Sequence, residues 1–478
     1  MREVKPISID KLNTYALPDE KEIEKLLAEQ LKKLNRKIVV LDDDPTGVQT
    51  VHDISVYTDW EKESMKQGFE EENSMFFILT NSRGFTAAQT EQAHKEIAQN
   101  IVSVSKETKK DFIVICRGDS TMRGHYPLEP ETIRTTIENS TSKQFDGEII
   151  YPFFKEGGRY TIDNIHYVKE GNTLVPAGMT EFAKDKTFGY QSSHLGDWCE
   201  EKSKGNYKAE NMIYISLEDL RNCDIEKIKN QLLTASGFQK IIVNSIDYID
   251  VKVFTIALIE AVLEGKEFLF RSAAAITKIL GGVSDKPLLT KKELVSPENK
   301  HGGIVLVGSH VKKTTMQLEE LKQSAKEIHF IEFDAHTVLE KDGLEKEVVR
   351  VIGLVEKDIE NGKTVVVYTS RNLVTLDTQD KDKILEASVE ISDAVTSIIG
   401  KLNVRPSFIV AKGGITSSDV GTKALKVKRA LVMGQIKPGI PVWLTGKESK
   451  FPNMPYVIFP GNVGETTTLK EAVEILMD

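Results

Sequence analysis

Three carboxylates in a row, Asp42-Asp43-Asp44, precede Pro45-Thr46-Gly47 and follow the apolar run Ile38-Val39-Val40-Leu41. Adjacent carboxylates repel, so a buried or half-buried trio needs partners. Such acids can hydrogen-bond substrate hydroxyls, act as a general base, or ligate Mg²⁺. Suitable cations follow two further apolar runs. Asn81-Ser82-Arg83-Gly84 succeeds Met75–Thr80, and Cys116-Arg117-Gly118-Asp119-Ser120-Thr121-Met122-Arg123-Gly124-His125 succeeds the run from Phe112. Guanidinium forks suit a carboxylate, and Asp suits sugar hydroxyls. Arg159 stands behind a further run, 148–153. An ordinary turn explains any one of these loops, and an Asp-Pro turn with solvated acids explains the trio. Three successive polar clusters after apolar runs are harder to explain that way. His125 and His166 are available as bases, although a single His is more often structural.

A second constellation lies far along the chain. Ser407-Phe408-Ile409-Val410 leads into Ala411-Lys412-Gly413-Gly414-Ile415-Thr416-Ser417-Ser418-Asp419, a pattern of strand, glycine loop and helix start. Paired glycines let N–H groups face an anion, and a helix N-terminus adds partial positive charge. Thr416, Ser417 or Ser418 can cap that helix. Gly308-Ser309-His310 and Pro460-Gly461-Asn462-Val463-Gly464 are two more glycine-bearing loops that could help line a nucleotide pocket. Each alone reads equally well as a helix-entry turn. The distance between the two constellations points to a polar-substrate site on one domain and a nucleotide site on another.

Two further motifs mislead. Gly362-Lys363-Thr364 resembles the end of a P-loop, but Lys357 stands where its first glycine belongs, and a strand follows rather than precedes it. Asp42, Asp44 and Thr46 fit the pattern of haloacid-dehalogenase-type phosphatases, without an evident downstream Lys and acidic motif. That pattern makes a phosphatase with Asp42 as nucleophile the alternative enzyme reading.

The elements that must position these residues are an alternation of apolar runs and helical periods, which predicts an α/β fold with mainly parallel sheets. Open sheets of this kind place ligands outside the C-terminal ends of their strands, where both constellations fall. Expected strands include Glu148–Phe153, Lys240–Asn244, Ile304–Gly308, Ile328–Phe333, Thr364–Thr369 and Arg429–Met433, and helix is expected over 417–425. With 478 residues, the chain exceeds the ~250–300 at which one core stops growing. The expected division is 1–285, a polar linker over 286–302 bearing Pro287, Pro297 and Gly302-Gly303, and 303–478. The stretch 155–210, rich in glycine, aromatic and charged residues, reads as an irregular insertion or a cover for the site.

Composition narrows the class. Basic residues number 63 against 72 acidic, with no long basic block, so nucleic acid is not an expected partner. No run of ~18 apolar residues is present, and no apolar signal core follows Met1, so neither a membrane nor secretion is expected. Cys116, Cys199 and Cys223 lack paired spacing, which suits the cytoplasm and argues against structural zinc. Apolar segments in the N-terminal half would allow a homodimer. No metal-ligand set is legible.

Taken in order, Asp43-Asp44-Pro45-Thr46-Gly47, Asn81-Ser82-Arg83, Arg117-Gly118-Asp119-Ser120-Thr121, Gly308-Ser309, Lys412–Asp419 and Gly461-Asn462-Val463-Gly464 resemble the motifs of the four-carbon acid sugar kinase family. The resemblance runs from residue 38 to near 465. It implies an N-terminal sugar-acid domain, a C-terminal nucleotide domain and an active site in the cleft between them. It also implies ATP-dependent phosphorylation of a terminal hydroxyl of threonate, erythronate or an oxo-tetronate, with Mg²⁺. Substrate contacts are expected from Asp43, Asp44, Arg83, Arg117, Gly118, Asp119, Ser120 and Arg159. Arg83 and Arg117 would hold the carboxylate, and Asp44, or else Asp43 or Asp119, would orient or deprotonate the hydroxyl. Nucleotide contacts are expected from Ser309, Gly413, Gly414, Ile415, Thr416, Gly461 and Gly464, with Lys412 approaching the phosphates. A non-catalytic sensor of sugar acids and nucleotides is the other alternative.

Overall fold

A computed structural model describes residues 4–372, 374, 381–461 and 463–478. The chain divides into two units, Met1–Val51 with Asp59–Asp285, and His52–Thr58 with Lys286–Asp478.

The first unit is built on seven strands: β1 Lys37–Asp42, β2 Met75–Leu79, β3 Phe112–Arg117, β4 Gly147–Tyr151, β5 Ile213–Ile215, β6 Gln239–Val243 and β7 Phe268–Ser272. Their spatial order is β5-β6-β4-β7-β3-β1-β2, and every neighbouring pair is parallel. β1 to β4 are buried along their whole lengths, which explains why they read as continuous apolar runs rather than alternating ones. Helices such as Ala87–Thr108, opened by a Thr86/Gln89 capping box, and the almost wholly apolar Tyr248–Leu263 belong to the same unit.

The 155–210 stretch is less irregular than its composition suggests. Arg159–Ile162, Ile165–Glu170 and Thr173–Pro176 form an antiparallel sheet, which Ile7–Ser8 completes at the Thr173–Pro176 edge. Asp163 and Asn164 turn the first hairpin with φ of 51° and 65°, the doubly left-handed geometry of a tight hairpin. Strands this short, broken by such turns, leave no clean period in the sequence.

The second unit carries β8 Ile304–Val307, β9 Ile328–Phe333, β10 Thr364–Thr369, β11 Ile409–Lys412, β12 Arg429–Lys437, β13 Ile440–Thr445 and β14 Pro455–Phe459. β9-β10-β8-β11-β14 run parallel. β13 and β12 continue the sheet antiparallel, and Ile54–Tyr57 closes it against β12. Residues 54–57 therefore belong with the C-terminal half, which the 1–285 boundary does not foresee. Helix expected over 417–425 starts earlier, at Gly414, and passes into a wider turn over Val420–Ala424.

Residues 286–302 are not a free linker. Leu289, Leu294 and Val295 are buried in the core of the second unit, and Leu289 N–H donates to the Gln435 carbonyl at 2.8 Å. Pro297 lies in a turn that follows packed Val295, and Pro287 in an exposed stretch that precedes packed Leu289. Leu294→Ala is expected to lower the stability of the second unit by about 2–5 kcal/mol. A loss within about 0.5 kcal/mol in denaturant unfolding, the size typical of exposed positions, would restore the linker reading.

Candidate functional site

Parallel register brings the acids and arginines of the first unit together. Asp42 at the end of β1 stands opposite Leu79 of β2 and Arg117 of β3, and Arg117 stands opposite Ser272 of β7. The loops leaving these strands therefore share one edge of the sheet. Arg117 Nη1 donates to Asp42 Oδ1 at 3.2 Å and lies 3.8 Å from Asp43 Oδ1, while Nη2 donates to Gln49 Oε1 at 3.4 Å. Arg83 grips Asp43 with Nε at 3.1 Å and Nη2 at 2.9 Å, and Nη2 also lies 3.1 Å from Asp44 Oδ2. Asp44 itself accepts the Thr46 N–H at 2.8 Å, which together with Pro45 shapes the turn behind the trio.

The three acids differ in environment. Asp42 is buried against the backbone of Gly47, where a β-carbon would stand 1.8 Å from its Oδ2. Burial pushes its carboxyl up to about 8 against the pull of Arg117, so it is protonated at neutral pH. Burial also raises Asp43, against Arg83 and Arg271. Asp44 is half-buried; burial opposes its charge, but Arg83 and the Thr46 hydrogen bonds outweigh that and hold it below the ordinary carboxylate value. The trio thus leaves one ionised carboxylate with an open side.

Asp119 accepts hydrogen bonds from the Thr121 hydroxyl and from Arg123 Nε at 2.7 Å. Burial is overcome there by Arg123 and Arg83, and its carboxyl is held well below the usual range. Gly118 is required by Arg271, whose Nη1 would stand 1.5 Å from a β-carbon. Arg271 reaches over from β7 and donates to the Arg123 carbonyl at 2.7 Å. The inserted sheet clamps this loop. His166 Nε2 bonds the Ser120 carbonyl at 2.8 Å, and Tyr190 OH donates to the Thr121 carbonyl at 2.6 Å. Burial drives His166 down to about 4, which keeps it neutral and makes it a loop support, not a base. His125 bonds the Phe85 carbonyl at 3.0 Å.

Arg159, like Arg271, is a guanidinium without an ion pair among the described residues. Its Nε has no acceptor, and no described carboxylate lies within ion-pair distance. Its charge feels Asp119 and Arg123 through space, and burial lowers its pKa. By contrast Arg117 is fully buried and spent on Asp42, Asp43 and Gln49, so its expected role on a substrate carboxylate gives way to a structural one. Sequence reading missed Arg271, which lies within a strand after only three apolar residues.

In the second unit, the loops after β8, β11 and β14 meet. At Gly413, φ is 127°, and a β-carbon would stand 3.1 Å from Ser309 Cβ and 3.2 Å from Thr416 Oγ1. At Gly308 it would stand 2.4 Å from Thr416 Oγ1, whereas Gly461 has open space beside it. Gly308 and Gly413 are thus packed against Ser309 and Thr416, and it is Gly461 that leaves room beside its backbone for an anion. No side chain caps the helix Gly414–Asp419, because its N-cap is Gly413; Ser417 Oγ donates to the Ala411 carbonyl at 2.8 Å instead. Ile415 presents its side chain to solvent at 72% exposure, so the loop also offers an apolar face. Gln317 fixes the loop after β14 through the Val463 and Glu465 carbonyls at 3.2 and 2.8 Å. Gly464, at φ 83°, belongs to that loop, and Asn462 lies outside the described residues.

Lys412 does not approach the phosphate position. It is fully buried and donates to the Pro460 and Gly461 carbonyls at 2.6 and 3.1 Å, over the Phe459 ring. Burial lowers it to about 7, so it can make both bonds as a neutral amine. It ties β11 to the loop after β14.

Among the described residues, no group of three or more His, Cys, Asp and Glu side chains could hold a metal ion. None of the described helices is long and apolar enough to cross a membrane. No curated protein matches the chain. Haemophilus influenzae protein HI1011 is similar in structure, at 16% identity and a TM-score of 0.60 over 92% of this chain and 100% of that one. A Salmonella typhimurium LT2 protein provisionally named a tRNA synthase is similar at 16% identity and a TM-score of 0.63, over 91% and 98%. At that identity the likeness establishes the fold alone. A model described as a sugar-binding N-terminal domain matches residues 38–280, and one described as a nucleotide-binding C-terminal domain matches residues 304–469. The first alone spans half the sequence, and the two occur in order: the chain belongs to the four-carbon acid sugar kinase family.

Proposed function

We propose that this protein transfers the terminal phosphoryl group of ATP to a terminal hydroxyl of a four-carbon sugar acid of the threonate, erythronate or oxo-tetronate type. The observation that carries the reading is Asp44, an ionised, half-buried carboxylate held 3.1 Å from Arg83 at the strand edge. Family membership supports a sugar-acid kinase in general, and the match of residues 304–469 to a nucleotide-binding domain model supports a nucleotide.

Phosphoryl transfer depends on positioning and charge neutralisation more than on covalent help from the protein. Asp44 accepts the hydrogen bond of the attacking hydroxyl and aims its lone pair. Its lowered pKa suits orientation more than early proton removal. Arg83 fixes Asp43 and Asp44 relative to each other, and Arg159 receives the acid's carboxylate. Asp119, with Thr121 and Arg123, holds the shape of the loop. The N–H groups of Gly414 and Ile415 face the phosphates, with Ser309 and Thr416 beside them, while the Gly413 N–H is held by the Phe459 carbonyl at 2.9 Å and fixes the loop. Mg²⁺ would supply charge neutralisation and be carried mainly by phosphate and water oxygens, as this ion commonly is.

A phosphatase using Asp42 finds little support, because a protonated carboxyl sealed against Gly47 is a poor nucleophile. The sensor reading predicts tight binding without turnover. Purified protein with Mg·ATP and a panel of threonate, erythronate, oxo-tetronate and glycerate isomers should release ADP with one or a few of them. Binding of both ligands without ADP release would favour the sensor.

Asp44→Asn is expected to lower kcat by roughly a hundredfold or more, the usual scale for a positioned acid–base group. A kcat within about tenfold of the parent would remove Asp44 from the chemistry. Arg159→Gln should raise KM for the acid at least about tenfold and leave KM for ATP unchanged, the scale of a lost charged hydrogen bond. Equal effects on both would refute the carboxylate assignment. Arg117→Ala should act chiefly on stability, by about 1–3 kcal/mol, since it leaves buried polar groups of Asp42 and Gln49 without their donor. Asp42 gives a pH test. Its native pKa is raised from 3.8 to about 8, so between those values the native state holds a proton that the unfolded chain has released. Its contribution to stability therefore falls as pH rises through that window. Asp42→Asn should gain stability relative to the parent as pH rises; a constant difference would show that Asp42 is ionised in the native state.

A further inference from the structure

The functional reading leaves the polyphosphate without a cationic side chain, because Lys412 is committed to two carbonyls. Arg371 follows β10 at the same end of the sheet as the glycine loops. Its Nη2 donates to the Ser309 carbonyl at 2.7 Å, which fixes the guanidinium against the loop after β8. Ser309 in turn packs beside Gly413 and so joins Arg371 to the second glycine loop. Nε and Nη1 of Arg371 have no acceptor, and no described carboxylate lies within ion-pair distance. Glu319 and Glu332 act on it only through space. An arginine normally fills its fork with a carboxylate or phosphate, since buried donors left empty are unfavourable. The helix Lys312–Leu321 begins beside it with no side-chain cap, and exposed Lys312 and Lys313 add positive charge there.

We propose that Arg371 is a phosphate-binding residue, its guanidinium taking up oxygens of the nucleotide's polyphosphate chain. The proposal rests on the reading that the glycine loops bind a nucleotide. An arginine there would also meet the charge that spreads over the transferring group.

The test is calorimetric binding of Mg·ATP, ADP and adenosine to the full chain, parent and Arg371→Gln. Glutamine can still donate to the Ser309 carbonyl, so it spares the loop contact and removes the charge. The variant should bind ATP and ADP at least about tenfold more weakly, adenosine equally well, and with a shallower dependence on salt. Arg371→Lys should recover part of the ATP affinity. Unchanged ATP binding would overturn the proposal, as would parallel losses for ATP and adenosine, which would mark Arg371 as a support of the loop. A parent protein that binds no nucleotide would overturn the functional reading itself, and this proposal with it.

Discussion

Burial of Asp42 against Arg117, at the ends of two adjacent parallel strands, is the constraint on which the acid site depends. The register that seats them is set by backbone pairing, so their loops have to leave the sheet side by side. Once Arg117 is consumed by Asp42 and Asp43, the remaining charges sort themselves. Arg83 pairs with buried Asp43 and reaches Asp44. Neighbouring acids are thereby driven to different protonation behaviour by burial and partner choice alone. Three adjacent Asp residues become one protonated anchor, one paired strut and one open carboxylate.

The second unit solves a different problem with the same edge geometry. Its polar loops are held by side chains bonded to backbone carbonyls rather than by ion pairs. Lys412 shows how the loops are held: a buried amine pins the end of β11 to the loop after β14 without spending an exposed charge. The site is then free to take an anion from backbone N–H groups, with an arginine drawn from the neighbouring strand end.

Much of this was legible in the sequence, for stated reasons. Parallel strands buried on both faces read as apolar runs, so Ile38–Leu41 and Phe112–Cys116 announce themselves, and the polar residues just after them announce a ligand edge. What stayed hidden depended on partners distant in sequence. No local pattern shows that Arg117 would be consumed internally while Arg159 would not, or that Lys412 would turn toward carbonyls. Arg271 and Arg371 were overlooked because Arg271 lies within its strand and Arg371 stands singly after its own, without the glycine or acid neighbours that mark the other loops. The linker reading of 286–302 took Pro287 and Pro297 as signs of an unpacked chain, although Leu289, Leu294 and Val295 carry enough apolar surface to join a core. The strand Ile54–Tyr57 was passed over because its pairing partner lies more than 370 residues away, at Arg429–Val432.

The central claim is that an acid of four carbons receives a phosphoryl group directly from ATP. The most direct test follows the terminal phosphorus of labelled ATP in the presence of the best acid from the panel. The account predicts label in a phosphate ester of the sugar acid, formed in equal amount with ADP and only when both substrates are present. Label appearing solely as inorganic phosphate, or at a rate indifferent to the acid, would contradict it.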